Sequence, residues 1–99
     1  MRIDAGQCEM IREETKRAFG DPVSVWLFGS RVRDELRGGD IDLMVELDRP
    51  VDDAAWLASL LEARLLRRLG GRRVDVLVSA PNLMTQAIHA IARAEGVRL

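Results

Sequence analysis

Apolar residues recur three or four positions apart in some segments of the chain and two positions apart in others. The first spacing is typical of helices that cover a core, and the second of strands with one buried face. We predict helices over residues 5–19, 30–36, 54–69 and 83–95, and strands over residues 23–28, 40–47 and 73–79. The order α-β-α-β-α-β-α predicts an α/β (α+β) fold in which helices cover a small mixed β-sheet of about three strands.

Capping residues support the bounds of the three long helices. Asp4, either Asp52 or Asp53, and the Pro81-Asn82 pair are expected to open them. Gly20, Gly70-Gly71 and Gly96 are expected to end them.

Composition and charge limit the classes of protein to which the chain can belong. The chain is 47% hydrophobic and 31% charged over 99 residues, so we expect residues 1–99 to form a single domain. The net charge of −1 predicts no direct binding to nucleic acid or to a membrane. Cys8 is the only cysteine, and no apolar run has the length of a signal peptide or a membrane span, so the cytoplasm is the expected location.

Three aspartates interrupt the predicted strands. Side chains alternate across a strand, so Asp40 and Asp42 share one face, and Ile41, Leu43 and Val45 point to the other. Asp75 lies opposite the valines of the third strand, and the three carboxylates meet if the two strands are neighbours. Clustered carboxylates repel unless a cation lies between them, and such oxygen-rich sites suit Mg²⁺ or Mn²⁺. Two such ions support in-line phosphoryl displacement.

A simpler interpretation is that these aspartates lie on the solvent-exposed face of an antiparallel sheet. Aspartate is depleted in strands, however, and Gly29-Ser30 directly follows the first predicted strand. A glycine lets a ligand approach the backbone, and helix-start N–H groups with a serine hydroxyl can hold phosphate. Arg31 and Arg33 in the same loop could face a triphosphate or a partner's acidic groups, or remain solvated.

The combined pattern resembles the minimal nucleotidyltransferase family, whose members are relatives of the catalytic core of DNA polymerase beta. The residues that carry the resemblance are Gly29-Ser30 after a strand, Asp40-Ile41-Asp42 after a short helix, and Asp75 within Val74-Asp75-Val76. The similarity spans residues 23–78. There are two departures: Gly39 stands where relatives usually have serine, and the loop before Asp40 is one residue shorter than the commonest spacing.

The resemblance implies a role for each matched residue. Gly29 and Ser30 would contact the nucleotide's phosphates, with Arg31 and Arg33 as further nucleotide contacts. Asp40, Asp42 and Asp75 would be the catalytic and metal-binding carboxylates for Mg²⁺, with two ions expected. Asp75 would also orient or deprotonate the attacking hydroxyl.

The implied reaction is transfer of AMP from ATP to a hydroxyl, with release of pyrophosphate. Small proteins that resemble this one are commonly antitoxins that modify tyrosine hydroxyls of a HEPN ribonuclease toxin, and this chain has no tyrosine of its own. One alternative is a non-catalytic antitoxin that neutralises its toxin by complex formation. Another is a nucleotidyltransferase subunit that acts on a small molecule or an RNA end.

Two helices have wider apolar arcs than a core-facing stripe needs. Trp56 and Leu66 on the long third helix could therefore contact a partner, although most of that arc is expected to cover the sheet. The last helix repeats the pattern. We expect His89 within it to be a surface or packing residue rather than a base or a ligand.

Overall fold

The computed structural model describes residues 3–29 and 40–99. Three helices and four strands lie within these ranges, and the predicted α/β (α+β) class is confirmed. They are α1 (Ala5–Phe19), β1 (Ser24–Phe28), β2 (Ile41–Glu46), α2 (Ala54–Arg68), β3 (Val74–Ser79), α3 (Ala87–Glu95) and β4 (Val97–Arg98). The short helix predicted over residues 30–36 falls outside the described residues.

The strands form one mixed sheet in the order β3-β2-β1-β4. β2 runs antiparallel to β1 and parallel to β3, and α2 makes the crossover between the two parallel strands. The described part of the chain therefore has one strand more than the three that the sequence predicted. β4 pairs only Val97 with Leu27 and Arg98 with Trp26, and two residues are too few to show a strand period.

The core lies between one face of the sheet and the two long helices. Ile41, Leu43 and Val45 of β2 are fully buried there, as their alternation predicted. α1 and α2 contribute Ile11, Phe19, Leu61 and Leu65 to the same cluster. The opposite face is covered in part by α3, whose His89 and Ala92 are buried. Met44, on that second face, is also fully buried.

The start of α1 agrees with the sequence in detail. Asp4 Oδ1 accepts a hydrogen bond from the Gln7 N–H (2.8 Å), and Gln7 Oε1 accepts one from the Asp4 N–H (3.0 Å). This reciprocal pair is a capping box, and Gly20 follows the last helical residue. Asp53, one of the two predicted candidates, takes the N-cap position of α2, although its side chain makes no capping hydrogen bond.

The start of α3 was predicted four residues too early. The Asn82 side chain accepts from the Val51 N–H and donates to the Val51 carbonyl, both at 2.9 Å. Asn82 therefore ties the chain to the loop before α2 instead of opening a helix. The helix begins at Ala87 after Gln86, where the Gln86 N–H donates to His89 Nδ1 (3.0 Å). None of the described helices has the length and apolar character needed to cross a membrane.

Candidate active site

Asp42 and Asp75 are direct partners in the ladder between β2 and β3. The two strands are parallel and the residues are in register, so their side chains leave the same face of the sheet. Asp40 precedes β2 by one residue and lies two positions before Asp42, which places it on the same side of the chain. The structure therefore places the three carboxylates that the sequence singled out on one side of the sheet.

The pKa of Asp42 reflects these neighbours. Burial of the half-buried carboxyl raises its pKa above the ordinary value, and the negative charges of Asp75 and then Asp40 raise it further. Both other carboxylates are thus close enough to act on Asp42 electrostatically. A cation among them would relieve the repulsion and hold Asp42 ionised.

Arg73 lies beside the third carboxylate. Its Nε is 3.5 Å from Asp75 Oδ1, and both side chains are well exposed, so the pair is weak. Arg73 was not predicted as part of the site. The signal was available, because residues two apart on a strand share a face, and Arg73 stands two positions before Asp75.

Gly29 lies directly against Asp42. Phe28 of β1 is the ladder partner of Asp42, and Gly29 follows it with a φ of +75°. A Cβ on Gly29 would come within 3.3 Å of Asp42 Cγ and overlap the Oδ2 atom. The position thus requires glycine both for its backbone angle and for the space next to the carboxylate. Ser30, Arg31, Arg33 and Gly39 lie outside the described residues.

The donor set suits an ion that arrives with other ligands. Within residues 3–29 and 40–99, no group of three or more acidic, histidine or cysteine side chains is placed to hold a metal ion. Arg73 Nε lies 3.5 Å from Asp75 Oδ1, and the charges of Asp75 and Asp40 oppose ionisation of Asp42. Mg²⁺ usually takes one or two carboxylates and completes its shell with water and substrate phosphates. Asp40 and Asp42 fit that requirement.

A depression of about 320 Å³ extends from Asp75 along the open edge of β3 to α2. Ser59, Ala63 and Leu66 line its α2 side. Glu62, also in its wall, accepts a hydrogen bond from the Val76 N–H through Oε2 (2.8 Å), which satisfies a backbone group at the sheet edge. Glu62 was not predicted as a site residue, because a glutamate on an amphipathic helix has the pattern of an ordinary solvated residue.

A larger depression, of about 430 Å³, lies at the other end of β1 and β2 and is remote from the carboxylates. Glu46 in its wall accepts hydrogen bonds from Trp26 Nε1 (3.2 Å) and Arg93 Nε (2.7 Å). These contacts join α3 to the sheet. We assign this end of the sheet a structural role.

His89 is buried and fully engaged in packing. Its Nδ1 accepts from the Gln86 N–H at 3.0 Å, and so Nε2 carries the proton that it donates to the Val78 carbonyl, also at 3.0 Å. The histidine therefore fixes α3 to the outer edge of β3. This agrees with the prediction that His89 packs rather than acts as a base or a ligand.

Exposed apolar side chains lie on two helices. Trp56 is 65% exposed and Leu66 is 42% exposed on α2, the two residues that the sequence proposed for a partner surface. On and just before α3, Met84, Ile88 and Ile91 are also exposed. Large apolar groups at the surface are a common feature of protein contact sites.

One comparison with known proteins identifies the family. The profile of the nucleotidyltransferase domain family matches residues 8–92, from α1 into α3, and so includes the carboxylate site. No curated protein matches the chain. Domains of this family generally use a nucleoside triphosphate and a divalent metal ion. The chain belongs to the nucleotidyltransferase domain family.

Proposed function

We propose that the protein is an Mg²⁺-dependent protein adenylyltransferase that transfers AMP from ATP to a tyrosine hydroxyl of a HEPN ribonuclease toxin. As the antitoxin, it would neutralise this partner in the cytoplasm. The observation that supports the proposal most directly is the in-register pairing of Asp42 with Asp75, with Asp40 beside them. The absence of tyrosine from the chain requires that a tyrosine acceptor come from another molecule.

The reaction is a displacement at phosphorus. The phenol oxygen of the acceptor forms a bond to the α-phosphorus of ATP, and the bond from that phosphorus to the α,β-bridging oxygen breaks. Pyrophosphate leaves with the electron pair of the broken bond. The phenol proton passes to the Asp75 carboxylate, which is exposed enough to meet an acceptor.

Asp40 and Asp42 would hold Mg²⁺, with a second ion shared with Asp75. When bound, Mg²⁺ neutralises the triphosphate and the charge that develops on the leaving oxygen. Gly29 lets the backbone after β1 lie directly against the Asp42 carboxylate, where a Cβ would overlap Oδ2. Ser30, Arg31 and Arg33 are proposed as the remaining phosphate contacts.

Position and charge account for the proposed catalysis without a dedicated nucleophile. Asp42 and Asp75 are fixed by the backbone hydrogen bonds of the ladder, so the acceptor and the triphosphate meet rigid groups. The exposed Trp56 and Leu66 offer a surface on which a protein acceptor can rest.

Label transfer tests the proposal. The protein is incubated with Mg²⁺, a HEPN protein encoded beside its gene, and ATP labelled at either the α- or the γ-phosphate. We expect label on the HEPN protein from α-labelled ATP only, and loss of that label when its tyrosines are replaced by phenylalanine. Label from γ-labelled ATP would indicate a kinase, and no label from either would refute the proposal.

The non-catalytic alternative is separated by a neutralisation assay. The double variant Asp40→Asn/Asp42→Asn should bind the toxin and fail to neutralise it, because complex formation alone does not modify the tyrosine. Asp48→Asn is the matched control, since Asp48 is 80% exposed at the far end of β2. Full neutralisation by the double variant would favour the binding-module interpretation.

A further inference from the structure

The last helix, α3, crosses the second face of the sheet from β3 to β1. Near its start, His89 Nε2 donates to the Val78 carbonyl of β3 at 3.0 Å. At its end, a Cβ on Gly96 would come within 2.9 Å of the Leu27 carbonyl oxygen of β1. Met44 of β2, the strand between these two, is fully buried on this face. The helix therefore spans the sheet at about the level of Met44.

The carboxylates lie on the same face, one step further along the strands. Asp42 precedes Met44 by two positions, and its ladder partners are Phe28 on β1 and Asp75 on β3. Two residues of a strand span about 6–7 Å. These three half-buried residues, Phe28, Asp42 and Asp75, thus form a row beside one flank of α3, which we call the carboxylate row.

The contacts of Arg93 show which flank of α3 faces the carboxylate row. Arg93 donates to Glu46 (2.7 Å) and to Ser79 (2.8 Å), the last residues of β2 and β3, and so it points away from the row. Ile88 and Ile91 lie about 140–160° around the helix from Arg93, because a helix has 3.6 residues per turn. The flank toward the carboxylate row therefore carries these two isoleucines, which are 41% and 49% exposed.

The floor and the wall of this cleft differ in chemistry. Asp42 and Asp75 make the floor acidic, so it suits a metal ion with the phosphates of a nucleotide. The wall is apolar, and the exposed Glu95, four residues after Ile91 on the same flank, makes it unfavourable for phosphate. It suits the uncharged part of the ligand. In a nucleoside triphosphate this part is the base, which a single ribose links to the phosphates.

We propose that Ile88 and Ile91 form the base-binding wall of the nucleotide site. The triphosphate lies over Asp42 and Asp75 with its metal ion, and the base packs against the two isoleucines with Phe28 beside it. The inference rests on the proposed binding of a nucleoside triphosphate at the carboxylates. It adds the residues that hold the nucleoside, which come from α3.

A ligand without a base tests the proposal. Ribose 5-triphosphate keeps the sugar and the charges of ATP, and its affinity is compared with that of ATP by titration calorimetry in Mg²⁺ without an acceptor. The wild-type protein should bind ATP more tightly by on the order of tenfold, because only ATP has a base to pack on the wall. Equal affinities would overturn the proposal.

Three variants of α3 locate the contact. Ile88→Asn and Ile91→Asn each make the wall polar, and Ala90→Asn introduces the same side chain at an exposed position on the outer side of the helix. Each isoleucine variant should weaken ATP binding on the order of fivefold and leave the binding of ribose 5-triphosphate unchanged. Ala90→Asn should alter neither affinity. Equal losses for the two ligands in the isoleucine variants would overturn the assignment of the base to this wall.

The outcomes separate this inference from the proposed function. Unchanged ATP affinity in both isoleucine variants, with a raised KM for the HEPN protein, would assign the wall to the acceptor and leave the proposed function standing. The predicted effects on ATP binding without transfer to the HEPN protein would support the base-binding wall and refute the proposed function. No binding of ATP or ribose 5-triphosphate by the folded protein in Mg²⁺ would overturn both.

Discussion

Asp42 and Asp75 face each other across the parallel ladder of β2 and β3, although the whole of α2 separates them in the chain. A shift of one residue in this register would carry Asp75 to the face of the sheet that α1 and α2 cover. The apolar residues prevent the shift, since Val74 must remain buried opposite Ile41. The packing of the core thus fixes the geometry of the candidate site.

The proximity of the carboxylates costs stability when no cation is bound. A carboxyl whose pKa is higher in the folded state stabilises the fold below its unfolded pKa and loses that contribution as pH rises through its folded pKa. Asp42 is such a group. We therefore expect Asp42→Asn to raise the Tm by a few degrees at neutral pH in a chelating buffer.

The pH dependence of this gain in Tm tests whether the Asp42 charge is its cause. Measured by thermal denaturation, the difference between Asp42→Asn and the wild type should shrink as the pH falls toward 3.8, the ordinary aspartate value. Mg²⁺ should stabilise the wild type more than the variant. A variant less stable than the wild type at pH 7 would contradict this account of the site.

Gly29 and Gly70 offer a matched pair of substitutions. Both have positive φ angles, +75° and +71°, but the space around Gly70 is open whereas Gly29 abuts Asp42. Gly70→Ala should lose about 1 kcal/mol of unfolding free energy from backbone strain alone. Gly29→Ala should lose more and should also weaken ATP binding, because the methyl group displaces the Asp42 carboxylate.

Urea denaturation and nucleotide titration measure the two effects. Equal losses of stability in the two variants, with unchanged ATP binding by Gly29→Ala, would show that Gly29 serves only the turn of the backbone.

His89 is expected to matter for stability. His89→Ala removes a buried ring and both of its hydrogen bonds, which should lower the free energy of unfolding by about 2–4 kcal/mol. Ile91→Ala on the exposed side of α3 is the control, with an expected loss below about 0.5 kcal/mol. Similar denaturation midpoints for the two variants would contradict the role of His89 as the link between α3 and β3.

Glu62 is expected to protect the edge of the sheet. Glu62→Ala leaves the Val76 N–H without its partner and should cost about 1 kcal/mol, whereas Glu62→Gln keeps an acceptor and should cost less. Hydrogen exchange of the Val76 amide reports the change directly. Unchanged exchange in Glu62→Ala would mean that this hydrogen bond does not persist in solution.

The sequence predicted the elements in which apolar residues recur with a clear helix or strand period. α1 and its Asp4 cap, the alternation of β2 and the face of Asp75 follow from local spacing, so the site carboxylates could be grouped before the structure was known. The residues from other elements that contact these positions could not be predicted in the same way. Glu62 on α2 reaches the Val76 N–H on β3, and no local pattern indicates that contact. Arg73 differs, because its two-residue spacing from Asp75 was a signal available in the sequence.

The errors at the C-terminal end have a similar origin. Asn82 and Pro81 have the composition of a helix start, but Asn82 bonds Val51, which is distant in sequence, and the helix begins later at Ala87. β4 exists because β1 offers an open edge, and its two residues carry no signal of their own. Long-range pairing decided both outcomes.

The rate of label transfer from α-labelled ATP tests the central claim most directly, namely that Asp42 and Asp75 form one catalytic site. It is measured for the wild type, Asp42→Asn, Asp75→Asn and the remote control Asp48→Asn under saturating Mg²⁺ and ATP. We predict losses on the order of 10²–10³-fold for Asp42→Asn and Asp75→Asn, and a wild-type rate for Asp48→Asn. Transfer at the wild-type rate by either of the first two variants would contradict the claim.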